Sequence, residues 1–167
     1  MTDDSSLNEE LCRILGRHLA DQDYVSRVET FPPDKADRTV AIFRDSYYPE
    51  EITEAGLEFR IRLNDDLTLH YVEPWPGDRW ECRFDRHDNP HNSREHFHPP
   101  PDASTADCRN ATYPSDPFEM IGLVLQFVQD RIGELWDDLT YPSEYDWQAA
   151  STPSFVGDQD ADTSLNR

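Results

Sequence analysis

The sequence predicts an α+β protein: a single antiparallel sheet, a meander, with a long C-terminal helix and a short N-terminal helix on its apolar face. Three observations carry this expectation. Leu57-Glu58-Phe59-Arg60-Ile61-Arg62-Leu63 alternates apolar and charged residues without a break, the period of a half-buried strand. The turn sequences Asn64-Asp65-Asp66 and Pro76-Gly77-Asp78 separate it from two more alternating segments. Apolar side chains then recur at helical spacing after Asp116-Pro117-Phe118-Glu119, where Asp caps, Pro takes the first helical position and Glu closes the box.

The elements follow in order. Ser6-Leu7-Asn8-Glu9 has the form of a capping box, with Leu7, Leu11, Ile14 and Leu15 at helical spacing behind it, so a short helix is expected over about 6–20. Tyr24 to Phe31 reads as a weak strand ended by Pro32-Pro33, and Arg38 to Tyr47 as a second. After the strand at 57–63, Leu67 to Glu73 returns with Leu67, Leu69 and Tyr71 on one face. Arg79 to His87 goes back out with Trp80, Cys82 and Phe84 on one face and Arg79, Glu81, Arg83, Asp85 and His87 on the other. His96-Phe97-His98 alternates again, and the prolines at 99–101 open a loop to Pro114. In the helix 117–137, Phe118, Ile121, Val124, Leu125, Val128, Ile132, Leu135 and Trp136 form the stripe that would cover the sheet. Four to six strands are expected, in one domain over 1–148, with an acidic disordered tail over 149–167.

Composition narrows the setting. The chain has 167 residues and a net charge of −20. Its basic side is fourteen arginines and one lysine, Lys35. Aromatic residues make up 11% and fall in periodic patterns, which argues against disorder. Molar salt screens surface repulsion to within a few Å, so this excess of carboxylates fits a folded, halophilic cytoplasmic protein, expected from a halophilic archaeon. Cys12, Cys82 and Cys108 form no close pair and fit neither a zinc pattern nor a disulfide scaffold. The opening Met1-Thr2-Asp3-Asp4 carries no apolar leader, and no apolar run approaches the roughly 20 residues of a membrane span, so no membrane partner is expected.

The chemistry concentrates in one place. Four of the six histidines, His87, His91, His96 and His98, lie within twelve residues. Between 79 and 98, four arginines (79, 83, 86, 94) are matched by four acids, so this segment is a neutral gap in a strongly acidic chain. If the chain turns at Asp88-Asn89-Pro90 and returns along the sheet, His96 and His98 come near Asp85 or His87. Imidazoles can then serve as base and acid, an arginine fork can hold a phosphate, and a carboxylate can orient an imidazole. The expected catalytic set is Asp85, His91, His96 and His98, with Arg83, Arg86, His87 and Arg94 binding substrate. RNA suits this set because it brings its own nucleophile, the 2′-hydroxyl, and the mechanism calls for no metal or other cofactor. Trp75, Trp80 or Phe97 would stack on bases if exposed. Two other readings of the same residues stand beside this one. The cluster could be a zinc or nickel site in a non-catalytic binding protein, or a hydrogen-bonded anchor for loops. His70 and His18 are expected to be structural, His18 at the end of the first helix.

Trp80-x-x-Arg83-x-Asp85-x-x-x-x-Pro90-His91, followed by His96-Phe97-His98, resembles the core pattern of the TumE family of toxin–antitoxin proteins. The strand, turn and strand from Leu57 to Glu73 fit the same plan, and the resemblance covers about residues 24–136. The chain departs from the pattern by an insertion after Asp85, by a single His91 where a pair is usual, and by Phe97 with no lysine between His96 and His98. The resemblance implies a toxin neutralised by a cognate antitoxin, with RNA or translation as its target.

Overall fold

The computed structural model describes residues 4–32 and 37–138. The expected tail at 149–167, and the stretch leading into it, lie outside the described residues. The elements are α1 (Glu9–Ala20), β1 (Val25–Phe31), β2 (Arg38–Phe43), a 3-10 turn (Asp45–Tyr47), β3 (Gly56–Ile61), β4 (Leu67–Trp75), β5 (Asp78–Arg86), β6 (Glu95–His98), β7 (Arg109–Asn110) and α2 (Pro117–Asp137). The strands form one antiparallel sheet in the order β1-β2-β3-β4-β5-β6-β7, each paired with its neighbour in sequence. The fold class is therefore the expected α+β meander, with seven strands rather than four to six.

Alternation sorts the two faces. Leu57, Phe59 and Ile61 of β3, Leu67, Leu69 and Tyr71 of β4, and Trp80, Cys82 and Phe84 of β5 are all buried and join one core cluster with both helices. Phe127 of α2 lies over the centre of the sheet, its ring within 6.4 Å of the rings of Tyr71, Trp80, Phe84 and Phe97. α1 contributes Cys12, Leu15 and Leu19 and packs against β1, β2 and β3. Gly16 brings it close: a Cβ there would sit 3.4 Å from Val28 Cγ1.

Both helix starts are capped by side-chain oxygens, one not where the sequence placed it. In α2, Asp116 accepts from the Phe118 and Glu119 N–H groups, as expected. In α1 the cap is Asn8, which accepts from Leu11 N–H, and not Ser6. The residues before it are drawn to the sheet instead: Ser6 O accepts from Leu63 N–H, and Leu7 bridges to Arg62.

The apolar stripe of α2 is also corrected at its ends. Phe118 and Trp136 are exposed, Phe118 meeting the His18 ring edge-on at 5.4 Å and Trp136 donating its indole N–H to Tyr47 O. Met120, Phe127 and Arg131 are buried in their place. The core is not wholly apolar. Glu73, on the buried face of β4, accepts two hydrogen bonds of 2.8 Å from Arg131, whose guanidinium lies 3.9 Å from the Trp80 ring centre. Tyr71 and Trp75 also donate to Glu73, so the buried carboxylate is fully engaged.

Candidate functional site

The sheet register builds the site. Asp85 faces Thr68 on β4 and His96 on β6, and His96 faces Asn110 on β7. Thr68 in turn faces Arg60 on β3. One row across the face opposite the helices is thus Arg60, Thr68, Asp85, His96 and Asn110. The row beside it is Glu58, His70, Arg83 and His98. This is the period-two consequence of placing charged residues between the core residues of β3, β4 and β5.

Two loops then cover the β6 end of these rows. Asn89 organises the first, accepting from the His91 and Asn92 N–H groups and donating to Ser93 O. The second runs through the prolines and pairs Glu81 N–H with Pro101 O. Under them Asp85 is 1% exposed, His96 2% and His98 3%. His87, just past the end of β5, keeps a side chain 39% exposed.

Three imidazoles meet one carboxylate oxygen. Asp85 Oδ2 lies 3.2 Å from His98 Nε2, 3.5 Å from His87 Nε2 and 3.7 Å from His96 Nε2. The Arg83 Nε–H donates to the same oxygen at 2.8 Å, while Arg83 Nη2 lies 3.0 Å from His98 Nε2. Asp85 Oδ1 is buried and has no hydrogen-bond partner among the described residues. Burial raises the Asp85 pKa, but hydrogen bonding with His98 and the adjacent Arg83 outweigh it and hold the carboxyl below its ordinary value. Burial holds the His96 imidazole below the ordinary histidine value, although the Asp85 carboxylate pulls the other way.

The other sequence-derived candidates are placed elsewhere. Arg94 pairs with Asp66 at 2.7 Å and Asp88 at 3.3 Å. Arg86 points to the core side, donating to Glu95 and to Pro114 O, and so fastens the strand end to the segment before α2. His91 is exposed in the turn and is not among the groups that meet at Asp85. Trp80 and Phe97 are fully buried and unavailable for stacking on bases; Trp75 is part-buried with its indole N–H on Glu73. His70 pairs with Glu81 at 3.1 Å.

Beside the cluster is a cavity of about 230 Å³, lined by Arg60, Arg62, Asp66, Leu67, Thr68 and His87. Its one carboxylate, Asp66, is matched by Arg94. Arg60 Nε is buried without a hydrogen-bond partner among the described residues. Sequence reasoning assigned Arg60 and Arg62 only to a charged strand face. Their shared parity with Thr68 and Asp85 was the signal that could have found them. Cys108 was also missed as a neighbour: its Sγ lies 3.9 Å from His98 Nε2. Among the described residues two groups of side chains have the spacing to hold a metal ion, Asp85–His87–His96 and His96–His98–Cys108.

Fold and site together define a small α+β domain with an imidazole–carboxylate–guanidinium centre on the sheet face opposite its helices. A protein-family model described as Toxin TumE matches residues 15–132, from α1 to late in α2, and the chain belongs to this toxin family. No curated protein and no solved structure matches the chain. Among the described residues no helix is long and apolar enough to cross a membrane.

Proposed function

We propose that this TumE-family toxin acts on RNA and is neutralised by a cognate antitoxin. The observation that carries the reading is the convergence of three imidazoles and Arg83 on Asp85, beside a cavity lined by Arg60 and Arg62, in a chain of net charge −20. A cationic recess in such a surface suits a phosphate. Arg60 and Arg62 hold the scissile phosphate, a role expected from the sequence of Arg83 and Arg94, and Arg83 supplies further positive charge at the carboxylate. The cluster around Asp85 accepts the proton of the 2′-hydroxyl. The 2′-oxygen attacks phosphorus, the bond from phosphorus to the 5′-oxygen breaks, and that oxygen takes up a proton. The products are a 2′,3′-cyclic phosphate and a 5′-hydroxyl.

The test uses the purified full chain, total RNA and molar KCl, with His87→Gln and Arg60→Gln beside wild type. Cleavage leaving those two ends, and lost in both variants, is the expected result. Intact RNA, or variants that cut as well as wild type, would overturn it. One observation favours a second reading. His96 and His98 are almost wholly buried, and each Nδ1 faces a main-chain carbonyl, which also suits a loop anchor in a non-catalytic binding protein. That reading expects RNA retention without cleavage.

A further inference from the structure

The proton positions on His87 and His96 raise a question that acid–base chemistry alone does not answer. His87 Nδ1 lies 3.2 Å from Asp88 O. His96 Nδ1 lies 3.1 Å from Ser93 O and 3.2 Å from Arg94 O. A carbonyl oxygen only accepts, and the Asn89 amide nitrogen that approaches His96 Nδ1 at 3.4 Å already donates to Ser93 O, so the closer carbonyls assign the proton to Nδ1 in both rings and, in the neutral ring, Nε2 presents a lone pair. Both lone pairs are aimed at Asp85 Oδ2, itself negatively charged, at 3.5 and 3.7 Å. Three electron-rich atoms facing one another, with Asp85 and His96 buried and His87 part-exposed, repel unless a cation lies among them. Arg83 meets this need in part: its Nε–H takes one lone pair of Oδ2 at 2.8 Å and its Nη2 reaches His98 Nε2 at 3.0 Å, but among the described residues it makes no hydrogen bond to His87 or His96, whose lone pairs are left facing the carboxylate. The buried, unpartnered Oδ1 of Asp85 is a second sign that something is due at this carboxylate.

The geometry points to a binding site for one divalent transition-metal ion, held by Asp85 Oδ2, His87 Nε2 and His96 Nε2. The three atoms lie within 4.8 Å of one another. Nitrogen and oxygen donors ~2.0–2.2 Å from a common ion sit roughly 3–3.6 Å apart, so the site closes with shifts of a few tenths of an ångström up to about one. The main-chain carbonyls behind both Nδ1 atoms are the outer-shell partners that commonly fix a ligating imidazole. Two imidazoles and a carboxylate suit zinc, cobalt, iron or manganese, and three protein ligands leave positions open. His87 also lines the Arg60–Arg62 cavity, so the open side faces the cationic recess. The other candidate group is weaker. His98 Nε2 is already engaged by Arg83, and burial raises the Cys108 thiol, so it is not a ready thiolate.

Metal binding at these three atoms does not depend on RNA being the substrate. If RNA is the substrate, the ion changes the identity of the proton acceptor at the centre and leaves its location unchanged. The test is titration of the chelator-stripped full chain with Co²⁺ in molar KCl, read by visible absorption, followed by displacement with Zn²⁺. Wild type should bind one equivalent. His87→Gln, which alters a part-exposed ring, and His96→Gln should each weaken binding by at least about 100-fold. His91→Gln and Cys108→Ser should bind as wild type does. Added Zn²⁺ should raise the melting temperature of wild type but not of His87→Gln, which separates lost binding from lost folding. No saturable binding, binding that survives His87→Gln, or binding lost in Cys108→Ser would overturn the assignment. The titration involves no RNA and the cleavage assay reads only RNA ends, so each reading can fail alone.

Discussion

Arg131 of α2 and Glu73 of β4 form a two-pronged ion pair inside the core, with Arg131 Nε and Nη2 each 2.8 Å from a carboxylate oxygen and neither residue more than 3% exposed. Removing one partner strands a buried charge. Arg131→Met alone should therefore cost about 3–5 kcal/mol, while Arg131→Met with Glu73→Gln should cost clearly less. Denaturant unfolding of the two single variants and the double checks this. A loss in the double variant equal to the sum of the two single losses would mean that the pair is not coupled.

Phe127 touches four rings that belong to three strands, so truncation opens a cavity at the middle of the sheet. Phe127→Ala should cost roughly 3–5 kcal/mol. Phe118→Ala, on the exposed edge of the same helix, should cost far less. The comparison by thermal melting asks whether α2 docks through its middle.

The three thiols should react in sequence. Cys12 and Cys82 are buried, and burial pushes both thiols up, Cys82 well above its ordinary value. Cys108 is partly exposed. An aromatic disulfide reagent should label Cys108 first in the native protein and all three in denaturant. Fast native labelling of Cys82 would contradict the packing of Trp80 and Phe84 around it.

Net charge −20 predicts a salt requirement. The melting temperature should rise steeply with KCl up to the molar range as repulsion between surface carboxylates is screened. A melting temperature that does not move with salt would remove the halophilic reading.

How far the sequence could be read depended on where local pattern agreed with tertiary pairing. The strand at 57–63 and the helix at 117–137 announced themselves because period and caps coincide there. β7 did not, because Arg109-Asn110 has no pattern of its own and is a strand only through its pairing with β6. The start of α1 moved because Ser6 and Leu7 are held by the sheet. In the site, Arg83, Asp85 and His87 were legible from alternation, and His96 and His98 from their spacing. Arg94 and His91 were not, since the turn at 88–94 has no period, and the choice of Arg94's partner, Asp66, lies 28 residues away in sequence. Glu73 and Arg131 could have been found: strand parity puts Glu73 inward, and four-residue spacing puts Arg131 in line with Phe127 and Leu135.

The strictly consecutive strand order has a consequence for how the toxin comes into being. Each new strand needs only the one just made, so the sheet can grow in the order of synthesis, with short loops to close. Asp85 arrives with β5, but the imidazoles of His96 and His98 arrive only with β6. A nascent chain that has emerged as far as β5 therefore displays the carboxylate without two of its three rings. The cluster at Asp85 is completed late, so if it carries the activity proposed above, an interval is left in which a partner can meet a chain not yet armed.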